Sequence, residues 1–95
     1  MFLHIGGDEI VFLKDIVAIL DMEKTTVSPI TKEFLKVSEE EGFIKAINED
    51  ELPKSYIIAY KNDMQVIYLS PLSVATLTRR YKKLLHEERR KILYV

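Results

Sequence analysis

Residues 2–21, FLHIGGDEIVFLKDIVAILD, place twelve apolar side chains in twenty positions, nearly all of them Ile, Val, Leu or Phe. β-Branched and aromatic side chains fit a pleated, half-buried surface. Gly6-Gly7 followed by Asp8 is a turn signal that cuts the run in two. Periodicity alone does not separate short buried strands from a buried helix. The Gly-Gly break and the β-branched Ile10, Val11, Ile16, Val17 and Ile19 favour strands. Two or three short strands are expected here, and every later element must cover them.

Downstream, Ser28 is a suitable N-cap and Pro29 suits the first helical position, where its missing N–H costs nothing. Ile30, Phe34 and Val37 recur at i, i+4, i+7 with Leu35 beside them, one apolar stripe of a helix that Gly42 is placed to stop. Glu39-Glu40-Glu41 opposes the helix dipole at that end. Phe43–Ile47 reads as a strand, Asn48–Glu51 as an acidic loop and Ser55–Tyr60 as a strong strand. Lys61-Asn62-Asp63-Met64 is a hairpin turn, because Asn and Asp tolerate left-handed backbone. The returning strand is Gln65–Leu69, with Tyr68 across from Tyr56, Ile58 or Tyr60. Ser70-Pro71 repeats the Ser-Pro helix start, and no helix breaker follows from Leu72 to about Tyr94. Val74, Leu77, Tyr81 and Leu84, widened by Leu85, give that last helix its apolar stripe. Its other faces carry Arg79, Arg80, Lys82, Lys83, Arg89, Arg90 and Lys91 against Glu87 and Glu88.

The expected fold is therefore α+β. A small single domain spans residues 1–95, with short antiparallel strands packed on a central helix and a longer basic C-terminal helix. Ninety-five residues leave no room for a second core. The absence of cysteine excludes a disulfide framework, a thiolate metal site and a cysteine nucleophile, and fits a reducing compartment. No apolar run approaches the length of a membrane span. Asp8, Glu9, Lys14 and Asp15 interrupt the N-terminal run, so no cleaved signal is expected and the location is read as cytoplasmic.

A net charge of −1 hides a split: residues 1–53 carry 5 Lys against 12 acids, and residues 54–95 carry 9 Lys or Arg against 3 acids. Either one face meets an anion, or the acidic part of one subunit meets the basic part of another.

Enzyme constellations are scarce. The glycines form no phosphate-binding loop. His4, in an apolar strand, reads as packed or placed at an edge, and His86 as solvated. No spacing demands a metal, no cofactor is implied, and no small-molecule substrate is evident. The basic helix is the functional candidate, since Lys and Arg neutralising phosphates drive DNA binding. By charge alone, a solvated amphipathic helix is the stronger reading. A third reading docks the apolar end Ile92–Val95 on a neighbouring subunit.

The order of motifs adds to this. Ile5-Gly6-Gly7-Asp8-Glu9-Ile10-Val11 is followed by Ile16–Leu20, a Ser-Pro-initiated helix ending in Glu40-Glu41-Gly42-Phe43-Ile44, a hairpin with Ile57-Ile58, and Val66 to Pro71. Over residues 2–80 this ordered set resembles the RemA/RemB-type family of bacterial extracellular-matrix (biofilm) regulators, the RemB-like branch in particular. The resemblance implies a core over 1–80 with residues 81–95 as a C-terminal helix extension. It further implies a cytoplasmic, DNA-binding transcriptional regulator of matrix genes. RemA-like members form rings of subunits, grip DNA with arginines on the outer rim, and have an α+β fold with some likeness to LytTR-type domains. The chain departs from that pattern at two places. Lys14-Asp15 stands where the family has an arginine, and Glu49-Asp50-Glu51 occupies the loop of a second arginine cluster, leaving Lys14 and Lys54. An acidic loop repels phosphate. DNA contact is accordingly expected from Lys54, Arg79, Arg80, Lys82 and Lys83, to double-stranded DNA through its phosphates and in a homo-oligomer, for which the resemblance implies a ring. The competing reading is an oligomeric protein-interaction module that does not bind DNA.

Overall fold

Gly6 and Gly7 both adopt positive φ, +123° and +52°. They turn the chain between β1 (Phe2–Gly6) and β2 (Glu9–Phe12), which pair antiparallel as a two-stranded ribbon. The computed structural model describes the backbone of residues 1–25 and 28–93 and the side chains of 1–24 and 28–87. A short 3-10 turn, Leu13–Asp15, leads into β3 (Ile16–Asp21), so the opening stretch forms three strands. Then come α1 (Met22–Thr25), α2 (Pro29–Glu40), β4 (Ile44–Ala46), β5 (Ser55–Lys61), β6 (Met64–Ser70) and α3 (Val74–Leu93). Strands β3 to β6 make a second sheet in the order β3-β5-β6-β4. Its pairings are antiparallel except β4 to β6, which is parallel.

The core gathers the inner face of the ribbon (Leu3, Ile5, Val11), the middle of the second sheet (Ile57, Ala59, Tyr68) and Leu77 of α3. Period-two alternation turns Phe2, Ile10 and Phe12 the other way, where they remain 49%, 50% and 43% exposed. The ribbon is thus apolar on both faces. Lys45 Nζ of β4 meets Glu9 Oε2 of β2 at 3.2 Å, a surface pair that spans the two sheets.

The β5–β6 turn is a two-residue loop with Asn62 and Asp63 both left-handed, the type I′ geometry that matches strand twist. It pairs Lys61 with Met64 and therefore sets Tyr68 opposite Ile57, not opposite Tyr56, Ile58 or Tyr60. A two-residue loop always sets odd positions of one strand against even positions of the other here. That parity rules out all three partners read from the sequence.

Ser70-Pro71 does not start a helix. Ser70 ends β6, is fully buried, and donates its hydroxyl to the Ile5 carbonyl at 2.6 Å while accepting Leu72 N–H at 3.1 Å. It stitches β1 to the chain leaving β6, a task that competes with capping. Ser55 does similar work, donating to Leu72 O at 2.8 Å. The helix begins three residues later at Val74.

Helix α2 runs as read, with Pro29 at its start and Gly42 past its end. Gly42 at φ +77°, with Phe43 N–H bonded to Ser38 O and Gly42 N–H to Glu39 O, forms a Schellman motif. Ser28 occupies the N-cap, but its hydroxyl makes no cap bond. The apolar stripe does not cover the core: Ile30, Phe34 and Val37 are 83%, 39% and 46% exposed. The helix leans on the body from another side. Its Leu35 lines a shallow groove with Ile44, Tyr56 and Leu69, and Ser38 is buried.

Candidate nucleic-acid interface

Helix α3 starts because Ser73 caps it. Ser73 Oγ accepts Thr76 N–H at 3.2 Å and its carbonyl accepts Leu77 N–H at 3.0 Å. From there 3.6-residue periodicity sorts the side chains. Leu77 is fully buried, and Val74, Tyr81, Leu84 and Leu85 are half-buried beside it. Tyr81 and Leu85 sit by Met1, Leu13 and Lys14, and Leu84 by Phe2 and Leu3. Residues two, five and six places beyond Leu77 fall on the opposite side. Arg79, Lys82 and Lys83 are accordingly exposed, and no described side chain pairs with them. The structure brings these three of the read cations together on one outward face, with His86 exposed one turn on.

Arg80 is different. It lies 100° around the helix from Arg79, on the flank facing the ribbon. Its NH1 donates to His4 O at 3.2 Å and stands 3.3 Å from His4 Nδ1, while His4 Nε2 bonds the Gly7 carbonyl. His4 is thus at a strand surface in contact with the basic helix, a link between residues 76 apart that nothing in the sequence signals. Lys54 lies off the helix, one residue before β5. Its backbone N–H bonds Ser70 O at 2.7 Å, so it sits at the sheet end from which the chain leads into α3. Arg89, Arg90, Lys91 and the apolar end Ile92–Val95 lie outside the described side chains.

The residues that weaken the likeness to the family also have clear places. Glu49, Asp50 and Glu51 are exposed in a loop where Asp50 N–H bonds Asn48 Oδ1 at 3.0 Å. Asp15 and Lys14 line a groove between the ribbon and the tip of the β5–β6 hairpin, with Phe2, Phe12 and Tyr60. Lys14 Nζ stands 5.5 Å from the Phe12 ring centroid. This aromatic groove is a feature the sequence reading missed. The available signal was that both alternating sets of β1 and β2 are apolar. Among the described residues no group of three His, Asp or Glu side chains is placed to hold a metal ion, and no helix is long and apolar enough to cross a membrane.

A family model described as RemA-like, Extracellular matrix regulatory protein A-like, matches residues 2–81. The chain belongs to the RemA-like family. A curated relative is Extracellular matrix regulatory protein B of Bacillus subtilis (strain 168), 40% identical over 80 residues that cover 84% of this chain and 89% of that protein. The family match takes in Arg79 and Arg80 and ends at Tyr81, one residue before Lys82 and Lys83. Of the three outward cations, Arg79 therefore lies within the matched residues, and Lys82 and Lys83 lie beyond them.

Proposed function

We propose that this chain is a non-enzymatic transcriptional regulator of extracellular-matrix genes that binds double-stranded DNA as a homo-oligomer. The observation that carries the proposal is the outward face of α3, where Arg79, Lys82 and Lys83 stand exposed without a carboxylate partner among the described residues. Cations so placed give up little on meeting phosphate, because no internal ion pair has to break. Arg80 contributes from the flank and Lys54 from the adjoining sheet end. Such contacts read position and shape rather than base edges, so selectivity rests on DNA deformability and on repeated subunits along the duplex. The family membership and the regulatory name of the relative supply the regulatory setting.

Self-association is supported by the exposed stripe of α2, since an apolar helix face in water is what an interface buries. A fluorescence anisotropy titration with duplex DNA at several salt concentrations tests the DNA half. Tight binding at low salt that weakens linearly in log salt is expected. Undetectable binding at low salt would sink it. Light scattering tests the other half: a mass above one chain is expected, and a strict monomer at low and high salt contradicts it.

The exposed acidic loop at Glu49–Glu51 favours the second reading, an oligomeric module that binds a protein partner and leaves DNA alone. Salt-insensitive or absent DNA binding together with an oligomeric mass would select it.

A further inference from the structure

The contact between β1 and α3 contains a histidine whose two ring nitrogens face partners of opposite kind. Gly7 O, beside Nε2, can only accept a hydrogen bond. The Arg80 guanidinium, beside Nδ1, can only donate. One arrangement satisfies both: the neutral ring with its proton on Nε2 and a bare lone pair on Nδ1. The two neighbours thus select a single tautomer. The same Arg80 NH1 also donates to the His4 carbonyl at 3.2 Å, so the guanidinium is gripped by ring and backbone of one residue.

Protonation removes that complementarity. An imidazolium carries a proton on Nδ1 as well, which sets donor against donor and cation against cation at 3.3 Å. From α3, Lys83 and Glu87 line the same small groove as His4 and Arg80. On the ribbon, Glu9 is engaged with Lys45 at 3.2 Å and Asp8 is exposed in the turn. No described carboxylate pairs with either His4 or Arg80.

We propose that His4 is a positioning residue for Arg80, holding its guanidinium against β1 while the imidazole is neutral and releasing it when the imidazole is charged. Released, Arg80 is free to swing from the flank towards the outward face that Arg79 and Lys83 occupy, with the new charge on His4 beside it. Acidification then adds phosphate contacts to the basic face. This rests on the DNA-binding reading only for its consequence. The coupling of His4 to Arg80 does not depend on it.

The test has two arms on the full chain. In the first, the side-chain nitrogen signals of Arg80 are followed by NMR without DNA from pH 7.5 to 5.5. They are expected to shift across that range in the parent chain and to stay still in His4→Gln. In the second, duplex affinity is measured at both pH values in a His86→Gln background, which removes the second of the chain's two histidines. Affinity is expected to rise at the lower pH, with the log–log salt slope steeper by about 1, the weight of one further phosphate. That rise is expected to vanish on adding His4→Gln or Arg80→Ala. Arg80 signals that stay still from pH 7.5 to 5.5 in the parent chain overturn the proposal whatever DNA does. An acid-dependent gain that survives His4→Gln overturns it too. Arg80 signals that respond in a chain binding no DNA at either pH uphold the coupling and overturn the DNA reading instead.

Discussion

Helices α2 and α3 start from the same pattern and end in opposite situations. Each has apolar side chains at helical spacing, a serine at the N-cap and charge on the remaining faces. In α3 the apolar stripe finds its partner inside the chain, where Leu77 is fully buried, and the outward face is cationic. In α2 the stripe Ile30, Phe34 and Val37 faces out, flanked by Glu33 and Glu40. Amphipathicity tells that a face is suited to burial, not what buries it. A helix that covers the core at Leu77 offers its charges to the outside. A helix that leaves its stripe bare offers apolar area instead.

The contrast can be broken most severely at Leu77. Leu77→Ala opens a cavity under α3 and is expected to cost about 2–5 kcal/mol, read as a drop in urea midpoint. Ile30→Ala, measured at a concentration where the chain is monomeric, is expected to change stability by no more than about 0.5 kcal/mol. Similar losses at both sites would mean that α2 covers a core after all. Ser70→Ala comes next, because it strands the Ile5 carbonyl and the Leu72 N–H in the interior. A loss of about 1–3 kcal/mol is expected by chemical denaturation. The two capping serines sharpen the comparison further. Ser73→Ala removes a real side-chain cap and should cost about 0.5–2 kcal/mol. Ser28→Ala removes none and should be near neutral in the same assay.

The smallest effect lies at alkaline pH. Burial holds the Tyr68 phenol above its ordinary value, with Glu9 adding to this and Lys45 opposing it. Because the folded value is the higher one, this contribution is whole below about pH 10 and is lost as pH climbs through the folded value. Tyr68→Phe should therefore flatten the fall of thermal stability above pH 10 relative to the parent chain, and an unchanged slope would count against it.

Much of this could be read from residues alone. Gly6-Gly7 and the β-branched run pointed to two or three strands, of which three form, Gly42 ended its helix, and Asn62-Asp63 made the hairpin turn. What stayed hidden has physical causes. Ser70 looked like a cap because Ser-Pro is a good helix start. A buried carbonyl from β1, 65 residues away, claims its hydroxyl instead. The register at Tyr68 depended on where the turn centres: Asn62-Asp63 at its middle pairs Lys61 with Met64 and hence Tyr68 with Ile57. The exposure of Ile30, Phe34 and Val37 depended on which way α2 leans, and a stripe carries no address. In the candidate site, the grouping of Arg79, Lys82 and Lys83 follows from helix geometry and was legible. The diversion of Arg80 to His4 joins residues 76 apart in sequence and was not.

The central claim is that the outward face of α3, and not the lysines of α2, meets DNA. The direct measurement compares duplex binding across salt for Arg79→Ala/Lys82→Ala/Lys83→Ala and for Lys32→Gln/Lys36→Gln. The α3 variant is expected to lose binding and to shed about 2–3 from the log–log salt slope, near 0.9 for each phosphate contact, while the α2 variant keeps the slope of the parent chain. An α3 variant with unchanged affinity and slope would contradict the claim.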